Sequence, residues 1–235
     1  MSLIYNNKSK LVEKVFNNVY DKYDVMNDIM SLGAHRLWKK NLVSWINPLK
    51  NSKIIDVASG TGDIAKLCSD YTNNECDIYC VEPNKNMILK GKEKLKDQKN
   101  LRWVLASAEK LPFKDNTFDF YVISFGIRNV TNFDKSLQEA MRVLKKGGRF
   151  FCLEFSKVEN EILKIIYKKY SNLIPTIGKK IVGDAEPYEY LVNSIKHFYN
   201  QEELKHKLID NNFFKVEYRN LAYGVASIHT GWKVE

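Results

Sequence analysis

Apolar and polar positions along the chain fall into two alternating kinds of segment. Apolar, β-rich runs occur at "KIIDVA" (53–58), "CDIYCVE" (76–82), "LRWVLA" (101–106), "FDFYVISF" (118–125) and "GRFFCLEF" (148–155). Between several of them lie stretches with helical spacing: "DIAKLCSDY" (63–71), "NKNMILKGKEKLKD" (84–97) and "DKSLQEAMRVLKK" (134–146). Strands alternating with helices predict βαβ units and a mainly parallel sheet. The runs are apolar nearly throughout, as in strands covered on both faces. The rhythm changes after Phe155. Residues 157–212 predict several helices, and "FFKVEYRNL" (213–221) and "YGVASIHTGWKV" (223–234) predict an antiparallel strand pair joined by a turn of about two residues. Residues 8–20 and 34–46 also have helical spacing. With no repeat and no long linker, the expectation is one domain over 1–235, with an N-terminal helical lid (1–50) and a helical insert or cap (157–212).

Composition narrows this little. At 235 residues, 44% hydrophobic and 28% charged, the chain reads as a globular protein able to bury a core without staples. No apolar run reaches the roughly 18 residues that span a bilayer, and the first residues lack the apolar core of a secretory signal. Cys68, Cys76, Cys80 and Cys152 form neither a C-x-x-C pair nor a zinc-spaced cluster, so reduced core thiols in an intracellular protein are expected, and no metal. Charge adds one clue. The net +9 concentrates locally between Lys157 and Lys180, where six lysines meet two acids. A basic balance alone fits nucleic acid, an anionic membrane, an anionic ligand or plain solubility.

Candidate chemistry begins at "DVASGTGD" (56–63), which ends the first strand and opens the first helix. In open α/β sheets ligands bind outside the carboxyl ends of the strands. Gly60 and Gly62 allow a tight turn and close approach of a ligand. Glu82 ends the second strand, where its carboxylate can accept both hydroxyls of a ribose. Two nucleoside cofactors fit. Gly60, Gly62 and Ala65 make a G-x-G-x-x-A pattern, a weak dinucleotide signal. The same geometry serves S-adenosylmethionine, and the C-terminal strand pair is unlike a dinucleotide half-fold. Ser107 and Ala108, after the third strand, could read an adenine edge. Asp56, Thr61 and Ser124 complete the expected cofactor set.

The stretches "DVASGTGD", "CVEPNKNMI" and "SAEKLPFKDNTFD" resemble the first motifs of class I methyltransferases. Three more, "YDVMNDIMSLGAHRLW" (23–38), "FGIRNV" (125–130) and "RVLKKGGRFFCLEFS" (142–156), are similar to the ubiquinone/menaquinone biosynthesis C-methyltransferase family, a similarity running from about Val15 to Val234. Lys146, Ser107 and Ser59 depart from the usual proline, Asp or Asn, and glycine of that family.

The resemblance implies a Rossmann-like α/β fold and methyl transfer from S-adenosylmethionine to a ring carbon of a polyprenylated quinol. It implies the ubiquinone branch, with menaquinone synthesis as the alternative. For such a reaction donor, methyl and acceptor carbon must align, and a base or a polarised water must take the proton of a neighbouring ring hydroxyl. From the signatures, Arg128 would hold that water or the phenolate, since arginine stays protonated, and Asn129 would orient it. Tyr23, Asp24, Asn27 and His35 fall in the lid, with His35 the candidate base. Met26, Met30 and Trp38 read as packing. The insert, through Ile162, Ile165, Ile166, Tyr170, Leu173, Ile174 and Ile177, could build an apolar tail cavity or a membrane-docking face, or be an ordinary amphipathic helix. The resemblance further implies peripheral contact with the matrix face of the mitochondrial inner membrane (or a bacterial-type cytoplasm), a quinone-biosynthesis complex or homodimer, and no nucleic acid. Competing readings are an RNA or other small-molecule methyltransferase, a dehydrogenase and a non-catalytic subunit.

Overall fold

The computed structural model describes residues 12, 14, 15, 17, 23–183 and 185–235. Five strands run parallel: β1 (Lys53–Val57), β2 (Asp77–Glu82), β3 (Leu101–Leu105), β4 (Phe118–Ser124) and β5 (Leu144–Phe155). Two more, β6 (Phe214–Leu221) and β7 (Ala226–Trp232), add antiparallel to give the order β3-β2-β1-β4-β5-β7-β6. The helices are α1 (Tyr23–Ser31), α2 (His35–Ile46), α3 (Asp63–Tyr71), α4 (Lys85–Lys94), α5 (Phe133–Val143), α6 (Glu161–Val182), α7 (Glu186–His197) and α8 (Gln201–Asp210). This is the expected α/β, Rossmann-like architecture with a terminal antiparallel pair. Strand order reverses between β1 and β4, which makes their carboxyl ends the place for a ligand.

Alternate residues explain why the strands read as apolar throughout. Ile54 packs with Trp38, Leu42 and Phe151 on one face, while Ile55 and Val57 pack with Tyr121, Leu137 and Phe150 on the other. Met26, Met30 and Trp38 are buried in the first of these layers, so they pack as expected. All four cysteines are buried free thiols.

Local chemistry sets the element ends. Asn84 caps α4 by accepting from the N–H groups of Asn86 and Met87. Asn200 and Glu203 form a reciprocal capping box on α8. α5 stops at Val143, short of the predicted Lys146, because Leu144 already pairs with Phe118 in the sheet. The ladder resumes at Arg149 opposite Phe120, so the intervening residues bulge out.

The terminal hairpin differs from the expected two-residue turn. Leu221 pairs with Ala226, leaving 222–225 as the connection, which contains a short 3₁₀ turn. Gly224 there has φ +94°, and a Cβ on it would lie 2.5 Å from the Lys157 carbonyl. Packing of this turn against the start of the insert demands the longer form.

The insert is three helices. In α6 the predicted single apolar face divides. Ile174 is buried and Tyr170 partly so, donating its hydroxyl to the Ile29 carbonyl of α1. Ile162, Ile165, Ile166 and Leu173 are all more than half exposed. Among the described residues no helix is long and apolar enough to cross a membrane. The helix expected over 8–20 lies mostly outside the described residues.

Candidate active site

The glycine turn after β1 is shaped by its backbone. Ala58, Gly60 and Gly62 all have positive φ, and so does Phe125 at the end of β4. Non-glycine residues in that region cost about 1–3 kcal/mol each and collect at functional sites. The turn is pinned by Ser59 N–H donating to the Val81 carbonyl at 3.1 Å. Gly126 follows Phe125 so closely against the turn that a Cβ would lie 2.5 Å from Ala58 Cβ.

These ends enclose a cavity of about 260 Å³. Gly60, Glu82, Ser107, Ala108 and Asn129 all line it, so the structure brings together residues that the sequence assigned to cofactor and chemistry. Glu82 is buried, and its two oxygens accept from Gly60 N–H at 2.9 Å and Asn84 N–H at 3.0 Å. Burial pushes its carboxyl up to about 7 despite those two donors. A carboxylate offers about four lone-pair sites, so two stay available for a ligand.

A second, smaller hollow of about 20 Å³ adjoins the first, with Ala58 and Phe125 in both walls. It holds the remaining cofactor candidates: Asp56, Thr61 and Ser124. Asp56 accepts from Ala65 N–H at 3.2 Å, and burial pushes it up to about 8. The hydroxyl oxygens of Ser59 and Ser124 are buried without a partner among the described residues. Gly62 lines neither space. It is the N-cap of α3, and a Cβ there would meet Leu95 Cδ1 at 2.8 Å, so packing and its φ of +85° require the glycine.

Arg128 and Asn129 sit in a short 3₁₀ turn after β4. The Arg128 guanidinium is buried against the fully buried carboxylate of Glu154, with Nη1 2.6 Å from Oε1 and 2.8 Å from the Phe125 carbonyl. Burial raises the Glu154 carboxyl, and the Arg128 charge opposes that. Two residues one turn apart on α7 reach the same pair. Tyr190 donates to Asn129 Oδ1 at 3.0 Å, and Arg128 Nε donates to Ser194 Oγ at 3.4 Å. Arg128, Tyr190 and Ser194 line a third cavity, of about 400 Å³, with the mutually packed rings of Phe133, Phe198 and Tyr199. Val130 and Thr131 line both this cavity and the one holding Glu82.

His35 does not converge on this point. His35 is buried, with Nε2 2.9 Å from Asp28 Oδ1 and Nδ1 unpartnered among the described residues. Burial lowers its ring below the usual histidine range, outweighing the Asp28 bond. It lines a separate hollow with Arg36, Lys39 and Lys40, away from the walls that contain Asn129. Asn27 is buried in the same helix bundle. The side chains of Tyr23 and Asp24 lie outside what is described. The sequence reading missed Lys39, Asn84, Tyr190 and Glu109, which lines the Glu82 cavity and accepts from Thr131 N–H at 2.6 Å. Of these, Tyr190, together with Ser194, carried a readable signal, an i, i+4 polar pair in an otherwise apolar helix stripe.

The ubiE/COQ5 methyltransferase family matches residues 4–233. The chain belongs to this family. A ubiquinone/menaquinone biosynthesis C-methyltransferase UbiE from Rickettsia massiliae (strain Mtu5) is 50% identical over 97% of this chain and 94% of its own length. The protein of the same name from Rickettsia prowazekii (strain Madrid E) is 47% identical over 98% and 95%. Among solved structures, a S-adenosylmethionine-dependent methyltransferase of Thermotoga maritima, described as a possible histamine N-methyltransferase, superposes with TM-score 0.67 at 19% identity, covering 94% of this chain and 99% of that one. At that identity the likeness shows the shared fold. Family membership makes the chain an enzyme, a methyltransferase whose donor is S-adenosylmethionine. The cavities fit such a donor: a buried carboxylate with open lone-pair sites, a glycine turn that Gly126 approaches closely, and hydroxyls unpartnered among the described residues.

Proposed function

We propose that this ubiE/COQ5 family member transfers the methyl group of S-adenosylmethionine to a ring carbon of a polyprenylated quinol in quinone biosynthesis, on the ubiquinone branch. The observation that carries the reading is the third cavity. It adjoins the cofactor cavity at Val130 and Thr131, has three aromatic rings in its wall, and presents Arg128 and Tyr190. An aromatic acceptor packs on such rings. The bound donor supplies an electrophilic methyl on sulfur, and the protein supplies position and charge.

Glu82 holds the ribose and so fixes where the donor sits. Asn129 lines the cofactor cavity, accepts from Tyr190 in the wall of the third cavity, and orients the acceptor hydroxyl or a water. The Arg128 guanidinium stabilises negative charge on the ring oxygen as its proton leaves. Its bond to Glu154 holds the guanidinium in place for that task. His35 keeps a positioning role, bracing α1 against α2 through Asp28.

The exposed isoleucines of α6, flanked by Lys168, Lys169, Lys179 and Lys180, support peripheral contact with an anionic bilayer, from which the isoprenoid tail would be drawn. The bacterial relatives support the cytoplasmic face of such a membrane over the mitochondrial matrix face. The test is turnover: purified protein with S-adenosylmethionine and a short-tailed, ring-demethylated quinol should yield the C-methylated quinol by mass spectrometry. Methylation of a demethylmenaquinol alone would move the chain to the menaquinone branch, and methylation of neither would end the proposal.

A further inference from the structure

Tyr190, Asn193, Ser194 and His197 follow one another along α7 at the i, i+3, i+4 and i+7 spacing of one helix face, and all four line the third cavity. The helix is held from its other side, where Tyr188, Leu191 and Ile195 are buried. Two of the four polar groups have their protons committed within the protein. Tyr190 donates to Asn129, and Ser194 donates to the Leu191 carbonyl at 2.8 Å while accepting from Arg128 Nε. His197, in the last turn of the helix, is exposed.

The His197 imidazole has a fixed polarity. Its Nδ1 lies 2.8 Å from the Asn193 carbonyl, and a carbonyl only accepts, so Nδ1 carries the proton. In the neutral ring Nε2 is then an acceptor, and it has no partner among the described residues. His206 makes the same bond to its own helix, at 2.7 Å from the Glu202 carbonyl, yet it lines none of these cavities. Arg128 has the opposite polarity, because a guanidinium only donates. It meets α7 at Ser194, and Ser194 and His197 are i, i+3 neighbours, about 5–6 Å apart at Cβ. That spacing matches the two para oxygens of one benzene ring. A ring lying on the aromatic wall therefore presents one oxygen to a donor and the other to an acceptor.

We propose that His197 Nε2 accepts a hydrogen bond from the ring hydroxyl para to the oxygen that Arg128 holds, so that His197 selects the reduced 1,4-diol over the oxidised quinone. A quinone offers Arg128 the same acceptor, but it brings a second carbonyl oxygen, with no proton, against an acceptor nitrogen. Asn193 does not discriminate, since its amide both donates and accepts. The form refused is the one whose ring carbons are electron-poor and do not attack a sulfonium methyl. The inference rests on the quinol reading of the third cavity and names the group that senses the oxidation state of the ring.

Binding measured without turnover tests it. Protein saturated with S-adenosylhomocysteine is titrated with a short-tailed methoxy-1,4-benzenediol and with the corresponding quinone. The titrations are anaerobic and mildly alkaline, which keeps imidazole groups neutral. The wild-type protein should bind the diol roughly tenfold more tightly than the quinone, the scale of one hydrogen bond left unmade. His197→Leu should bring the two rings within about twofold of each other, with S-adenosylhomocysteine affinity unchanged as the sign of an intact fold. His206→Leu, which removes the same bond from α8 away from these cavities, should keep the full preference. A preference that survives His197→Leu, or none in the wild-type protein, would overturn the assignment and leave the quinol reading standing. If the wild-type protein binds neither ring, the quinol reading of the cavity falls and the assignment falls with it.

Discussion

Replacing Glu82 by alanine separates two consequences of one buried carboxylate. In the wild-type protein its oxygens accept from Gly60 and Asn84, and two further lone-pair sites face the cavity for the ribose hydroxyls. Hydrogen bonds to a charged acceptor contribute about 1.5–3 kcal/mol each, so losing both weakens S-adenosylmethionine by roughly two to four orders of magnitude. Stability should respond differently, and with pH. Glu82 is raised from 4.5 to about 7 in the folded protein, so the folded state holds the proton more tightly than the unfolded one. Its contribution is therefore full below about pH 4.5 and is lost as pH rises through 7, a swing of about 3 kcal/mol. Alanine removes that swing but orphans two backbone N–H groups, at about 1–3 kcal/mol each. The ligand-free variant should melt below wild type at pH 5, and the gap should narrow or reverse at pH 8. Titration calorimetry at pH 7.5 and melting curves at the two pH values measure both effects. Unchanged affinity would refute the ribose assignment, and a melting gap independent of pH would refute the buried, proton-holding carboxyl.

Two further outcomes follow from the other parts of the site. Arg128→Met strands the Glu154 carboxylate and should cost about 3–5 kcal/mol in a denaturant melt. Adding Glu154→Gln should recover much of that stability, while kcat stays low and S-adenosylmethionine affinity stays near wild type; recovered kcat would make Arg128 purely structural. On α6, Lys164, Lys168 and Lys169 changed together to Glu should abolish low-salt co-sedimentation with cardiolipin vesicles, each lysine contributing about 1 kcal/mol. Turnover of a soluble short-tailed quinol should survive, and co-sedimentation equal to wild type would leave these lysines as a solvated face.

The fold was legible because periodicity and burial agree along β1, β2, β4 and β5, where both neighbours in sequence are buried on opposite faces. The cofactor end was legible for a related reason: a backbone turn that must admit a ligand leaves small residues side by side, as at Ala58, Ser59 and Gly60. What could not be read were contacts between segments distant in sequence. Lys39 meets Asp63 across 24 positions and Arg128 meets Glu154 across 26, and no local pattern distinguishes these from surface charges. The helical spacing over 34–46 matches α2, yet only packing reveals that the His35 ring turns to Asp28. The α6 stripe misled in one respect, because a wide apolar face on a helix does not say how much of it a neighbour covers.

The place of β7 between β5 and β6 has a consequence for biosynthesis. β5 carries Phe150, Phe151 and Leu153, among the most buried residues in the protein, yet one of its flanks is completed only when Phe155 finds Ala226. All three helices of the insert and β6 are made in between. At ~5–20 residues per second, a ribosome needs several seconds to cover that interval. Throughout it the nascent chain exposes an unpaired, strongly apolar strand edge, the kind of template on which other chains aggregate. Synthesis of this protein thus passes through a window in which a chaperone has a defined ligand, the open side of β5.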